Sequence, residues 1–285
     1  MAVIVGGVVV MVAVLVGFSM AGGHVAALIH PSEFITIGGA SLGALLITSP
    51  KKVLIDLVRG ILQLFKGTPY GKTTYLELFK LLYSLGKVVR RDGLLALDSH
   101  VSDPATSEIF QQFPKIAGNH HAMHFLCNAL SLVVDGNTSS AILTSSLEEE
   151  IQVIEREHHA AVVALSKTAD ALPGFGIVAA VLGIVVTMQA IDGPVEEIGH
   201  KVGAALVGTF LGILMSYGLF APLAGRMEAL GQQEAVFLRA ISSAVLAMSE
   251  GSAPRDVVVR ASRSVGTDCR PNAAEMKAIL NTDSS

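Results

Sequence analysis

Three histidines, His120, His121 and His124, crowd one short stretch, and the first and last of them are four apart, so they would share a helix face as metal ligands do. No acid accompanies them in the manner of HExxH, so a solvated helix face accounts for them and no metal is expected. His158 and His159 read the same way. The acidic run from Glu148 to Glu157 suits first-turn and surface charge. Cys127 and Cys269 stand far apart with no CxxC or Cys/His spacing, which points to reduced thiols. No Ser/His/Asp or Cys/His arrangement carries the local context of a nucleophile, and no glycine loop could cradle a phosphate. Neither enzymatic catalysis nor a cofactor is expected.

Chemistry that moves an ion through hydrocarbon ordinarily leaves a buried ionisable residue as its marker. The chain has four long uncharged stretches, 2–21, 34–49, 174–191 and 202–225, and all of them lack Asp, Glu, Lys, Arg and His. Either no ion is moved, or a partner brings the titratable group. Small residues dominate these stretches instead: Gly39 to Gly43 and Gly208 to Gly212 are both GxxxG, which lets helices approach closely, within one chain or between chains.

These stretches must be membrane spans. Charged residues make up only 15% of the 285, against about 25% in soluble domains. Of the 20 Lys and Arg, none lies in residues 1–50, 12 lie in 51–170, one in 171–222 and 7 in 223–285. With a net charge of -4 there is no basic stripe, and nucleic-acid binding is excluded. The first stretch lacks the basic start of a cleaved signal and is read as a retained span. Lys and Arg near span ends stay in the cytoplasm, so four spans put both termini inside, with short outer loops at 22–33 and 192–201.

The fold class is therefore all-α, a polytopic integral membrane protein with four transmembrane helices and a large helical cytoplasmic region. Its parts are a hairpin over 1–50, a cytoplasmic helical domain over 51–172, a second hairpin over 173–225 and a C-terminal cytoplasmic segment over 226–285. Apolar spacing predicts cytoplasmic helices over Val53–Lys66, Tyr75–Leu97 and Ile109–Val134. Ser145 or Ser146, ahead of Leu-Glu-Glu-Glu, predicts the N-cap of a helix reaching the third span. Pro173 opens that span, where proline is bland, and Pro222 lies near the end of the fourth, where a missing backbone donor can make a hinge.

Leu-Pro-Gly-Phe-Gly-Ile-Val-Ala-Ala-Val-Leu-Gly (172–183) and Val-Gly-Thr-Phe-Leu-Gly-Ile-Leu (207–214) resemble spans three and four of the MotA family, the stator subunits of the bacterial flagellar motor. Gly-Gly-His at 22–24, Ser-Glu-Ile-Phe-Gln-Gln-Phe-Pro-Lys-Ile at 107–116 and the four-span layout extend the resemblance over nearly the whole chain. It implies an inner-membrane homopentamer around two copies of a MotB-type, single-span, peptidoglycan-binding partner, whose Asp binds the transported proton. It also implies torque delivered to the rotor protein FliG. By the same resemblance Pro173 and Pro222 couple proton occupancy to movement, and Arg90 and Asp98 meet the rotor. Asp98 stands where the family often has Glu, and Arg91 is a second candidate cation. Thr209 matches a pore-facing threonine, and Thr187 is a further hydroxyl of the third span. Ala180 stands where sodium-driven relatives have threonine, which favours protons as the transported ion. The alternatives are an ExbB/TolQ-type energiser of outer-membrane processes, which has three spans, and a passive membrane scaffold.

Overall fold

The computed structural model describes residues 2–136 and 139–281. The described residues are helical, with no strand, and divide into two compact units, 1–67 with 157–230 and 68–156 with 231–285.

The first unit holds the apolar helices. Helix α1 spans Ala2–Met20 and is apolar on every side; Val5, Val9, Val12 and Val16 are among its exposed residues, so it has no core-facing stripe. A short 3₁₀ turn, Val25–Leu28, leads into α2, Pro31–Thr48. This helix starts three residues earlier than the predicted second span because Pro31 takes its first turn, where proline's fixed φ and missing N–H cost nothing. The earlier start brings Glu33 into the helix, so the expectation that the spans contain no acid does not hold. Helix α3 follows over Lys51–Lys66.

The parts of two long helical paths that lie in 157–230 complete this unit. Helix α9, Ser140–Met188, runs unbroken for 49 residues into the third span. Neither Ser145 nor Ser146 caps it, because both lie inside; the cap is Ser139, whose Oγ accepts from the Ile142 N–H at 3.4 Å. Pro173 likewise lies within α9 rather than at its start. Helix α10, Val195–Met215, passes through a five-residue π turn, Ser216–Phe220, into α11, Ala221–Ser249. Pro222 explains the wide turn: it lacks an N–H, and its ring collides with the carbonyl four residues back in a regular helix, a clash that an extra residue in the turn relieves. The buried cluster Ile37, Leu172, Ala179, Val207 and Leu211 ties α2, α9 and α10 together. Outward residues such as Ile47 and Ile177 are exposed, as suits a surface that meets lipid or another apolar protein face. Among the described residues, four helical segments are long and apolar enough to cross a membrane.

The second unit is built around α4, Lys72–Asp92, whose Leu78, Phe79, Leu81, Leu82 and Leu85 are fully buried. The predicted helix to Leu97 stops earlier, at Gly93. That residue adopts φ 85°, open to glycine alone at no steric cost, and its N–H closes on Val89 O at 3.0 Å. A 3₁₀ turn, Leu94–Leu97, and α5, Asp98–Ser102, follow. The predicted Ile109–Val134 helix is three pieces: α6 (Glu108–Gln111), α7 (Pro114–Ala117) and α8 (His120–Val134). Pro114 forces one break. Asn119 makes the other, its side chain accepting from the Ala122 N–H at 3.2 Å as the cap of α8. Helices α12 (Pro254–Arg263) and α13 (Ala273–Leu280) close the unit. A Cβ on Gly86 would stand 3.3 Å from Pro254 Cα, so α12 lies close on α4 there. Tyr70 and Tyr75 meet Phe237 with ring centroids at 5.2 and 5.1 Å.

Candidate functional site

Glycine sets the spacing of α9 and α10. A Cβ on Gly176 would stand 2.9 Å from Gly208 O and 3.4 Å from Thr209 Cα, and one on Gly183 would stand 2.7 Å from Ala205 Cβ. The motif Gly208 to Gly212 is thus used within the chain. Gly39 and Gly43 meet nothing within 4 Å, so that motif is unused by this chain. Across the seam a Cβ on Gly208 would lie 3.2 Å from Ala180 N, whereas Thr209 lies against Gly176. Thr187 is not gathered with them, because its buried hydroxyl donates to Gly183 O at 2.8 Å inside its own helix.

Glu33 is the residue that sequence reasoning missed. It is only 7% exposed, and its Oε2 would lie 2.6 Å from a Cβ on Gly208, against the same seam. Among the described residues that oxygen has no hydrogen-bond partner, nor do the buried hydroxyls of Ser41 and Ser216. Glu33, Ile37 and Ser41 form the buried stripe of α2. The available signal was Pro31: read as a first helical position, it extends the span outward over Glu33.

In the second unit Arg90 and Asp98 are both exposed, on either side of Gly93. Among the described residues Arg90 makes no ion pair, whereas Arg91 grips Asp92 through Nε at 2.9 and 3.0 Å and a terminal nitrogen at 2.8 Å. This bond holds the Asp92 carboxyl below its ordinary range. Asp98 opens α5 and accepts from Ser102 Oγ at 3.3 Å. Arg90, Arg91, Lys87 and Gln112 line one shallow cleft with Pro254.

The charges set aside as surface have partners. Glu148 and Glu155 share Arg239 at 3.2 and 3.1 Å, and they are not first-turn acids because α9 begins at Ser140. His158, half-buried rather than solvated, meets Met227 O at 2.8 Å, and His159 lies 3.3 Å from Glu228. Of the clustered histidines, His121 Nδ1 lies 2.9 Å from Glu234 and His124 lies 3.2 Å from Asn128, so they do not converge on one point.

Residues 4–93 match the Motility protein A N-terminal family, and residues 117–239 match the MotA/TolQ/ExbB proton channel family. Motility protein A of Salmonella typhimurium is 33% identical over 277 residues, 97% of this chain and 94% of that protein. The chemotaxis protein LafT of Vibrio parahaemolyticus is 41% identical over 218 residues, 76% of each. Two solved structures share the fold. One is C. jejuni MotAB, with TM-score 0.78 and 24% identity over 95% of this chain and 98% of that one. The other is the flagellar MotAB stator complex of Bacillus subtilis, with TM-score 0.72 and 27% identity over 89% and 91%. On identity sustained over nearly the full length, with both family matches in their expected order, this chain belongs to the Motility protein A family, a membrane-embedded branch of the MotA/TolQ/ExbB proton channel proteins.

Proposed function

We propose that this chain is the channel-side stator subunit of a flagellar motor, held in the bacterial inner membrane with both termini cytoplasmic. Five copies surround two copies of a MotB-type, peptidoglycan-anchored partner. The observation that carries this reading is the close α9–α10 seam, where Gly176 meets Gly208 and Thr209 and where α9 carries no charged residue between Pro173 and Met188. The proton-binding Asp then comes from the partner's span, and the passing ion is a proton. A dehydrated sodium ion needs several oxygen ligands, and the methyl of Ala180 offers none. Flow past the seam drives the subunit ring. Arg90 and Asp98 pass the motion to FliG by charge, and Pro173 and Pro222 let the helices flex as the partner's Asp is loaded and emptied. The match of residues 4–93 to the Motility protein A N-terminal family supports this reading over an ExbB/TolQ-type energiser.

The test is purification with a single-span partner encoded nearby, imaging of the complex, and reconstitution into liposomes. A five-to-two assembly is expected, with proton uptake abolished by Asp→Asn in the partner's span and unaffected by sodium. Uptake that follows external sodium at constant membrane potential would overturn the choice of ion. A complex that still conducts without the partner's acid would overturn the channel itself.

A further inference from the structure

We propose that Glu33 is a second proton-binding site, internal to each subunit, from which a polar line continues inward between α2 and α10. The inference rests on the proton-channel reading above. Three buried oxygens without partners, Glu33 Oε2, Ser41 Oγ and Ser216 Oγ, belong to these two helical paths. Glu33 reaches Gly208, and Ser216 lies eight residues further along the same path, as Ser41 lies eight residues beyond Glu33. Because α2 and α10 pack together and both run from the outer side inward in the proposed topology, the two intervals advance in parallel, about 12 Å at 1.5 Å per residue. Burying polar oxygens in hydrocarbon without partners is costly, and each such group in a native structure calls for a role or an ordered water. An acid in this position is the ordinary marker of an ion route.

The approach to Glu33 fits that role. A cavity at the outer end of α10 is lined by His30, His200, Gly203, Ala204, Val207 and Phe210, residues that flank Gly208 on both sides in the chain. His30 is also the N-cap of α2, three residues before Glu33. From the elements packed on the carboxyl, α10 presents Gly208 and α9 presents Ala179 and Ala180, none of them titratable. Among the described residues, the titratable groups lining the mouth are His30 and His200, with Glu196, Glu197 and Lys201 lining the adjoining outer cleft. In the step itself, a hydronium in the outer cavity passes its proton to the Glu33 carboxylate and becomes water. The protonated carboxyl later returns the proton to water on the inner side, and no redox change occurs.

The test uses the assembled complex with its partner, by two readings. Infrared difference spectra between acid and alkaline buffer should contain a carboxyl C=O band that Glu33→Gln removes and Glu33→Asp shifts. Proton uptake by liposomes should fall several-fold in Glu33→Gln, lose part of its pH dependence, and recover partly in Glu33→Asp, with assembly unchanged. Wild-type uptake in Glu33→Gln across the pH range, or a band set indifferent to residue 33, would overturn the proposal. Should Glu33→Gln fail to assemble, Glu33→Asp decides: a shifted band supports the site and an unshifted one refutes it. The infrared reading needs no flux, so it stands or falls separately from the channel reading, which the partner's Asp→Asn variant tests.

Discussion

Arg90 and Asp98 are eight residues apart, but Gly93 puts them on different helices, so under the proposed function each would meet a rotor charge independently. Exposed contacts of this kind are individually weak and screened by salt. Neutralising either one is expected to impair motility in part, whereas Asp98→Lys abolishes it and regains some of it when an opposing rotor cation is made acidic. The readout is swarm diameter, with complex assembly as control; no recovery in any rotor reversal would remove the electrostatic contact. Arg91 is a poor substitute for Arg90 because Asp92 already holds it. Releasing it by Asp92→Asn should therefore soften the defect of Arg90→Ala, and an unchanged defect would count against this account. The charged residues were legible in sequence because exposed charge needs no tertiary context to be noticed. Glu33 was not legible, because its burial depends on how far α2 reaches and on Gly208 leaving room, neither of which hydropathy encodes.

At the scale of elements, what hydropathy could read were the spans, since apolar length is a one-dimensional property. Breaks were missed where a single residue decides, at Gly93, Pro114 and Asn119, and a start was misplaced at Ser145 because Ser139 caps just as well. Periodicity also could not tell which GxxxG is used within the chain. The α9–α10 seam predicts an asymmetry. Gly176→Ala and Gly212→Ala should destabilise the subunit by about 1–3 kcal/mol through overpacking, since a Cβ at Gly212 would stand 2.7 Å from Leu172 O. Gly39→Ala and Gly43→Ala meet open space within the chain and should leave thermal unfolding in detergent unchanged. Equal loss of melting temperature in all four variants would contradict the seam. A change confined to oligomer yield in the Gly39 and Gly43 variants would assign that face to a neighbouring chain.

For the whole molecule, the one-sided placement of Lys and Arg predicts the orientation proposed above. Cysteines placed at Ala26 and Asp192, in the two short connections, should react with an impermeant thiol reagent added outside, and one at Ser146 should not. The native thiols give little background, because burial pushes Cys127 up to about 11 and raises Cys269 with help from Asp268. Labelling of Ser146→Cys alone would invert the topology. The π turn at Ser216–Phe220 has a consequence for helical phase. Each residue of an α-helix advances the phase by about 100°, and a π turn holds one residue more than the helix around it. Deleting one residue there together with Pro222→Ala should leave a regular helix whose later residues keep their azimuth: Met227 still towards His158, Phe237 towards Tyr70 and Tyr75, and Arg239 between Glu148 and Glu155. Deleting one residue after Leu230 instead would turn Phe237 and Arg239 through that angle and unfold what they hold. The first variant should melt like the parent yet turn a rotor poorly, and the second should not fold; equal melting of the two would mean the wide turn is not a stored insertion.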